Sequence, residues 1–570
     1  MKKRWIYKPL PDADLVKNLA EKLTIEISLA QLLVQRNILT FDEAKTFFRP
    51  SLDDLHDPFL MKNMENAVNR IEKAIRKKEK ILVYGDYDVD GTTSVALVYG
   101  FLSKFHTHID FYIPDRQIEG YGISKLGIDW AKTENVSLII ALDCGIKSNE
   151  MIDYAKTQGI DFVICDHHLP AGEIPNAIAV LDPKQADCQY PFKELSGCGV
   201  GFKLMQAFSI KNQIPIDFLF EFLDLVVVSI ASDLVLMVGE NRVLAYFGLE
   251  KLNRNPRIGL RALMNVSGFH RESMLEISNL VFTIGPRINA VGRLTQGKKA
   301  VELLVSHNKE EAENFALSIN KTNYDRQDLD TISTQEAFKM VEERKKMKPD
   351  LKAIIIYKED WHKGIVGIIA SRCVDKYHLP TIVLTLQDGK ITGSARSIPD
   401  FNIYEMLGRC VDLLTEFGGH QQASGLAMPI ENLEKFTNMF ETIAENSLTP
   451  AMLIPPQEID LKLELYQITP KFYKILKQMA PFGPENMRPI FSTENLVPMK
   501  VQIMKEKHLK FTVVEPKTGI SFVVVAFGLI DFYVDLSRAK TIDLCYSIEE
   551  NIFQNKSTLQ LRARDIRTYY

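Results

Sequence analysis

Cysteine, net positive charge and long uncharged apolar runs are all scarce in this chain of 570 residues, and each shortage excludes something. Its seven cysteines are odd in number and never fall in CxxC spacing, which excludes a disulfide framework or a thiolate zinc ribbon and fits the reduced thiols of a cytoplasmic protein. Lysine and arginine number 69 against 73 aspartates and glutamates, for a formal net charge of -4. Any nucleic-acid surface must therefore come from local charge asymmetry rather than bulk basicity. The most apolar stretch, Phe218 to Val238, is broken by Glu221, Asp224 and Asp233, leaving too little uncharged length for a membrane span. The opening MKKRWIYKPLPD is basic but leads into no apolar h-region, which argues against a secretory signal.

What the chain does have is acid at strand ends. ILVYGDYDVDGTT, from Ile81 to Thr93, packs Asp86, Asp88 and Asp90 into five residues after an apolar run. Three carboxylates so close together need a counter-charge to stay ionised, and hard oxygen ligands suit Mg²⁺ or Mn²⁺. A calcium loop would need Glu at its twelfth position and helices on both sides; counting from Asp86, that position is Leu97, and the preceding residues read as a strand.

From Lys80 onward strand-like and helix-like segments alternate, the pattern of a mostly parallel α/β sheet with its ligand site beyond the carboxyl ends of the strands. Asp143 ends SLIIALD, Asp166, His167 and His168 follow DFVIC, and Asp233 lies within LVVVSIASDLVLM, where an unpaired buried carboxylate would be costly. Carboxylate oxygens and neutral imidazole nitrogens in one cluster suit Mn²⁺. Between Ser306 and Lys348 apolar residues recur at roughly helical spacing (Phe315, Ile319, Leu329, Ile332, Ala337, Met340, Val341), which reads as a long helical connector between two lobes that would leave a cleft. After Pro456 the pattern becomes alternation (Val501, Ile503; Leu509, Phe511, Val513; Ile520, Phe522, Val524), which predicts a small β-barrel, best matched by an OB-fold.

Taken in order, DxDxDG, LDCG, CDHHLP and SD resemble the motifs of the DHH phosphoesterase superfamily, and the whole chain resembles its RecJ-type branch of single-strand-specific exonucleases. DLHDPFLMKNMENAVNRI, LSGCGVGFKL and GPRINAVGRL resemble core segments of that branch, and WHKGIVGIIASR, GSARSI and FGGHQQASG resemble its DHH-associated domain. The fourth motif departs from the family: Ser232 precedes Asp233 where Ala is more usual, and the downstream Pro is missing. The resemblance implies an N-terminal segment (1–60), a catalytic DHH domain (61–305), a helical connector (306–348), a DHH-associated α/β substrate-binding domain (349–450) and an OB-fold (451–570).

It further implies two metal ions, Mn²⁺ or Mg²⁺, roughly 3.5–4 Å apart as in other two-metal phosphoesterases. Asp143 is the expected bridging carboxylate, with Asp88, Asp90, His167 and Asp233 as terminal ligands and Asp86 either ligating or orienting a neighbour. His168 is expected to face the substrate phosphate as a catalytic group beside Asp143, and Asp166 to orient an imidazole. Arg116, Arg287 and Arg396 offer planar recognition of phosphate, Ser394 adds a hydroxyl, and Gly418, Gly419 and His420 form a loop that lets a nucleic-acid backbone approach. The expected activity is stepwise hydrolysis of single-stranded DNA from the 5′ end, with a single-strand-binding protein and a helicase as expected partners. Two alternatives are a DHH phosphoesterase for short oligonucleotides or cyclic dinucleotides, and an inactive DNA-binding scaffold.

Overall fold

Ile81, Leu82, Val83 and Tyr84 are all fully buried, because the strand they form has helices on both faces. The computed structural model describes residues 3–116, 118–270, 274–294, 297–553 and 556–570. Five parallel strands make this sheet, in the order Ile109–Tyr112, Lys80–Gly85, Val136–Leu142, Asp161–Cys165, Ala179–Leu181. The chain order reverses between Lys80–Gly85 and Val136–Leu142, so the crevice expected of such sheets opens at Asp86 and Asp143. Alternate side chains feed two cores: Ile81, Val83 and Ile140 on one face, Leu82, Tyr84 and Ile139 on the other.

The helix Val89–Leu102 is buried almost all round, packed against Gly197–Lys211 and Leu223–Ser232. Its small residues, DGTTSVA, suit that crowding better than an amphipathic stripe would. It starts one residue before Asp90, so the third aspartate of the cluster is helical rather than part of a loop.

The chain divides into two compact units, one of Met1–Tyr7 with Tyr324–Ile459, the other of Lys8–Asn323 with Asp460–Tyr570. The division falls inside the 39-residue helix Lys309–Met347, which the periodic connector predicted. Of its apolar residues Ile319, Ala337 and Val341 are fully buried, whereas Leu329 and Ile332 are exposed.

In the larger unit, Phe491–Met504, His508–Val514, Ser521–Ala526, Thr541–Phe553 and Lys556–Tyr569 close into a barrel through pairing of the first and fourth strands. Leu509, Phe511, Val513 and Val524 point inward as expected, but Ile503 does not: the first strand is irregular between Met499 and Gln502, and Ile503 beyond it is 50% exposed. Helices from residues 13–48 share the barrel's apolar core. A buried Arg242 ties these parts to the core of the parallel-sheet domain, donating to the carbonyls of Phe47, Met479, Ala480 and Pro481 and lying 3.8 Å over the Phe47 ring.

The smaller unit holds a second five-stranded sheet, ordered Glu416–His420, Ala423–Met428, Lys390–Arg396, Thr381–Gln387, Ile354–Tyr357. Arg4–Tyr7 pairs in parallel with Pro456–Ile459 in the same unit. Among the described residues no helix is long and apolar enough to cross a membrane.

Candidate active site

Each acidic residue is placed by the element it ends or begins. Asp86 follows Lys80–Gly85; it is 1% exposed, and its Oδ1 has no hydrogen-bond partner. Asp88 caps the helix Val89–Leu102 by accepting from the Gly91 amide at 3.0 Å. Asp90, the second residue of that helix, accepts from the amides of Gly197 (2.7 Å) and Cys198 (2.8 Å) at the start of a second helix, and from Ser229 Oγ at 2.7 Å. Two helix N-termini therefore favour the charged form of this cluster.

Asp143 occupies the left-handed region (φ 59°) and is pinned by its amide on Cys165 O at 2.9 Å and by Tyr121 Oη on its own carbonyl at 3.1 Å. His167 is 6% exposed, and neither ring nitrogen makes a hydrogen bond. Its Nε2 instead faces carboxylate oxygens of Asp143 at 3.1 Å, Asp90 at 3.7 Å and Asp233 at 3.7 Å. Burial lowers its pKa, so the imidazole is neutral and able to act as a ligand.

The carboxylates answer in the opposite direction. Burial and then Asp90 push Asp143 well above the usual range; burial and then Asp88 do the same to Asp86, and burial with Asp90 raises Asp88. Asp233 is pushed up to about 8 by burial of its carboxyl and by Asp90 and Asp88. The residue itself is not inside an apolar run as its neighbours in sequence implied: it caps the C-terminal end of Leu223–Ser232, with its side chain 31% exposed. An unbonded imidazole facing several carboxylates is a donor set for a cation, and its oxygen and nitrogen atoms fit Mn²⁺ or Mg²⁺.

Asp166 does something different. Its Oδ1 accepts from His168 Nδ1 at 2.7 Å and from the His167 amide at 2.7 Å, and Oδ2 accepts from the Ile146 amide at 2.9 Å. Burial alone would raise its pKa, but these bonds hold it at about 2. His168 Nε2 points to Tyr121 Oη at 3.4 Å. Burial opposes its charge, but Asp166 and the nearby Asp233 and Asp90 raise its pKa overall.

Around this centre the sequence-predicted arginines separate. Arg116 lies over the Tyr87 ring at 5.1 Å, and its charge opposes without reversing the rise that burial and Asp88 cause in the Asp86 pKa. Arg287 turns inward: it is 9% exposed, with Nε on Asn320 Oδ1 at 3.0 Å and Nη1 on Thr283 O at 2.7 Å, just after a π-helical turn at Leu280–Ile284. The helix carrying it approaches the acidic loop through Gly292, where a Cβ would meet Tyr87 O at 2.4 Å.

The other candidates converge in the smaller unit. Cross-strand register places Gly418, Gly425 and Ser394 in one row, and His420, Ala423 and Arg396 in the row two residues along, so Ser394, Arg396, Gly418 and His420 share one face. Arg396 Nη1 donates to Ser394 Oγ at 2.6 Å. A Cβ on Gly418 would meet nothing within 4 Å, whereas Gly419 (φ 143°) sits tight in the hairpin, its hypothetical Cβ 2.4 Å from Ala423 O. The face is a glycine-floored shelf with a guanidinium at one side, a form suited to a phosphate.

Comparison with known proteins resolves the family. Models of the DHH family N-terminal domain, the DHHA1 domain and the RecJ OB domain match residues 80–230, 350–446 and 459–565. The chain is 38% identical over 559 residues to the single-stranded-DNA-specific exonuclease RecJ of Bacillus subtilis, covering 97% of this chain and 70% of that one. The chain belongs to the RecJ family. RecJ of Thermus thermophilus, solved in complex with Mn²⁺, superposes with a TM-score of 0.85 at 25% identity, covering all of this chain and 80% of that one. Another RecJ exonuclease bound to manganese gives 0.60 at 29% identity, over 70% of this chain and 98% of that one.

Two residues beside this centre escaped sequence reading. Gly197 is the space beside Asp143: a Cβ there would lie 2.7 Å from Asp143 Cβ and 2.8 Å from its Oδ1. Asp182 ends the strand Ala179–Leu181 on the same rim; it is fully buried, its Oδ2 has no partner, and burial pushes it up to about 7. Its signal was present, since AIAVLD repeats the apolar-run-then-Asp pattern of SLIIALD.

Proposed function

We propose that this RecJ-family chain is a metal-dependent exonuclease that hydrolyses single-stranded DNA stepwise from the 5′ end to mononucleotides, acting in DNA repair and recombination. The observation that carries the reading is His167, neutral and without a hydrogen bond, at the meeting point of the Asp143, Asp90 and Asp233 carboxylates. Asp143, Asp88, Asp90, His167 and Asp233 would hold Mn²⁺ or Mg²⁺, with Asp86 as a further ligand or orienting group. Metal ions in such a site supply a nucleophilic water at neutral pH and charge stabilisation for the phosphoryl group.

The protein's own groups have separable tasks. Asp166 fixes the His168 ring through Nδ1 and favours its charged form, in which Nε2 carries the proton that would be turned from Tyr121 to the scissile phosphate. Tyr121 holds the Asp143 backbone in its left-handed conformation. Arg116 approaches phosphate from the side of Tyr87; Ser394 and Arg396, with Gly418, Gly419 and His420, receive the backbone or terminal phosphate. Arg287 acts through Asn320 and Thr283 as a brace for its helix.

In this reading residues 61–305 hydrolyse, 349–450 bind substrate, 451–570 hold the strand, 306–348 connect, and the helices of residues 13–48 within the N-terminal segment 1–60 brace the barrel. A helicase that supplies single strands and a single-strand-binding protein that presents them are the partners such a reaction calls for. A reducing cytoplasm is the fitting compartment, since all seven cysteines are free and buried. The complete donor set argues against an inactive scaffold.

The test is a panel of 5′-labelled and 3′-labelled single strands, blunt duplex and dinucleotides with Mn²⁺. Labelled mononucleotide released first from the 5′-labelled single strand, with duplex intact, is the expected result. Faster turnover of dinucleotides than of long strands would overturn it.

A further inference from the structure

Each strand of the parallel sheet runs into charged residues at one rim, and the sign of the charge changes across the sheet. Asp86, Asp143 and the triplet Asp166, His167 and His168 follow the three inner strands. The edge strands end differently. Arg116 comes four residues after Ile109–Tyr112, and Lys184 three residues after Ala179–Leu181. The acidic centre is thus flanked by one cation at each edge of the sheet. Five strands set those edges about 19 Å apart, so the two cations serve different anionic groups.

Arg116 already belongs to the proposed site, and Lys184 does not. Its mount is rigid. Pro183 restricts the turn, Asp182 Oδ1 accepts from the Lys184 amide at 2.8 Å, and Asp182 O accepts from the Gln185 amide at 3.3 Å. The buried Gln185 ties the turn back to its own strand, with Nε2 on Val180 O at 2.9 Å. The Lys184 side chain is 20% exposed, and its Nζ meets Glu194 Oε2 at 3.3 Å, on a side chain itself 41% exposed. A pair so open to water is weak and easily exchanged for another anion. Alongside burial, which dominates, Lys184 lowers the pKa of His167 and opposes the rise in Asp233 and Asp182, so its charge is felt at the centre.

We infer that Lys184 is a substrate-binding residue: it leaves Glu194 to hold a backbone phosphate of the strand on the side of the acidic centre opposite Arg116. This rests on the proposed action on a polynucleotide. A phosphodiester chain that crosses a cluster of carboxylates is repelled unless cations meet it, and Arg116 can do so at one edge only. The Lys184 ammonium, a compact charge with rotatable donors, follows a moving phosphate without demanding one fixed geometry. Glu194 keeps it on the rim until a strand arrives.

The test uses the full chain and a fluorescent oligothymidylate of about 30 nucleotides, bound without divalent metal over a range of salt. Lys184→Gln should bind about 10-fold more weakly, with a log–log salt slope smaller by about 0.7, the share of one phosphate contact on a single strand. Lys184→Arg should keep the parent's slope. Glu194→Gln removes the ion pair but leaves the cation, and should bind as tightly as the parent or more tightly. With Mn²⁺ and an end-labelled strand, Lys184→Gln should raise KM about 10-fold and leave kcat within threefold. An unchanged slope in Lys184→Gln, or an equal loss of affinity in Glu194→Gln, would overturn the inference, the second by making the pair a structural brace. If the slope falls as expected but the parent hydrolyses nothing, the Lys184 contact stands and the exonuclease reading fails.

Discussion

Replacing Gly197 with alanine removes no ligand yet should disable the metal centre. The added methyl would lie 2.7 Å from Asp143 Cβ and 2.8 Å from its Oδ1, so something must shift by roughly 0.7–1 Å to restore ordinary contact. Asp143 cannot easily be what yields. Its amide is bound to Cys165 O, its carbonyl to Tyr121 Oη, and its φ is 59°. If the helix Gly197–Lys211 retreats instead, the Gly197 and Cys198 amides leave Asp90. Either route misplaces a proposed ligand by about an ångström, for which a loss of about 100-fold in kcat is the usual scale. Overpacking costs about 1–3 kcal/mol, partly offset by up to about 1 kcal/mol of helix propensity, so the protein should remain folded. The assay is Mn²⁺-dependent degradation of an end-labelled single strand, with thermal melting in parallel. Gly408→Ala, whose methyl would meet only Phe417 at 3.9 Å, serves as the control. Activity of Gly197→Ala within threefold of the parent would refute the placement of Asp143.

Other consequences are equally direct. Mn²⁺ at about 100 times its Kd should stabilise the parent by about 2.7 kcal/mol, seen as a raised Tm, and His167→Ala should lose most of that gain. Because Asp143 and Asp233 bind protons above the usual carboxylate range, Mn²⁺ should displace protons and bind more tightly as pH rises from about 6 to 8, as calorimetry in two buffers can measure. Asp166, held at about 2 against an ordinary 3.8, contributes about 2 kcal/mol of stability above pH ~4 that disappears as pH falls through about 2. Asp166→Asn should lack that acid-side loss in denaturant titrations and should lose activity with His168 released. Arg242→Met leaves four carbonyls without their donor and should cost about 3 kcal/mol, measured by urea unfolding.

The strand-end carboxylates were legible because a parallel sheet buried on both faces writes near-continuous apolar runs, and Asp86, Asp143 and Asp166 stop them abruptly. The same rule reached the connector and the barrel, whose periods are unlike each other. It could not reach Gly197, whose importance is the room it leaves beside a residue 54 positions away in sequence. Nor could it tell that Arg287 turns to Asn320, or that Asp233 sits at a helix end rather than within an apolar core. Both depend on where a turn ends, which neighbours in sequence do not determine. Helices from residues 13–48 share a core with a barrel more than 400 residues later, and Arg242 fastens that arrangement through backbone carbonyls that carry no residue identity. Contacts to main chain leave no mark in composition or spacing.

The most direct test of the metal-dependent exonuclease is degradation of an end-labelled single strand by the parent and by Asp143→Ala, each with and without Mn²⁺. The account predicts mononucleotide release by the parent only when Mn²⁺ is present, and a loss of about 1000-fold or more in the variant, the scale of removing several kcal/mol of transition-state stabilisation. Full activity in Asp143→Ala, or release by the parent without a divalent metal, would contradict it.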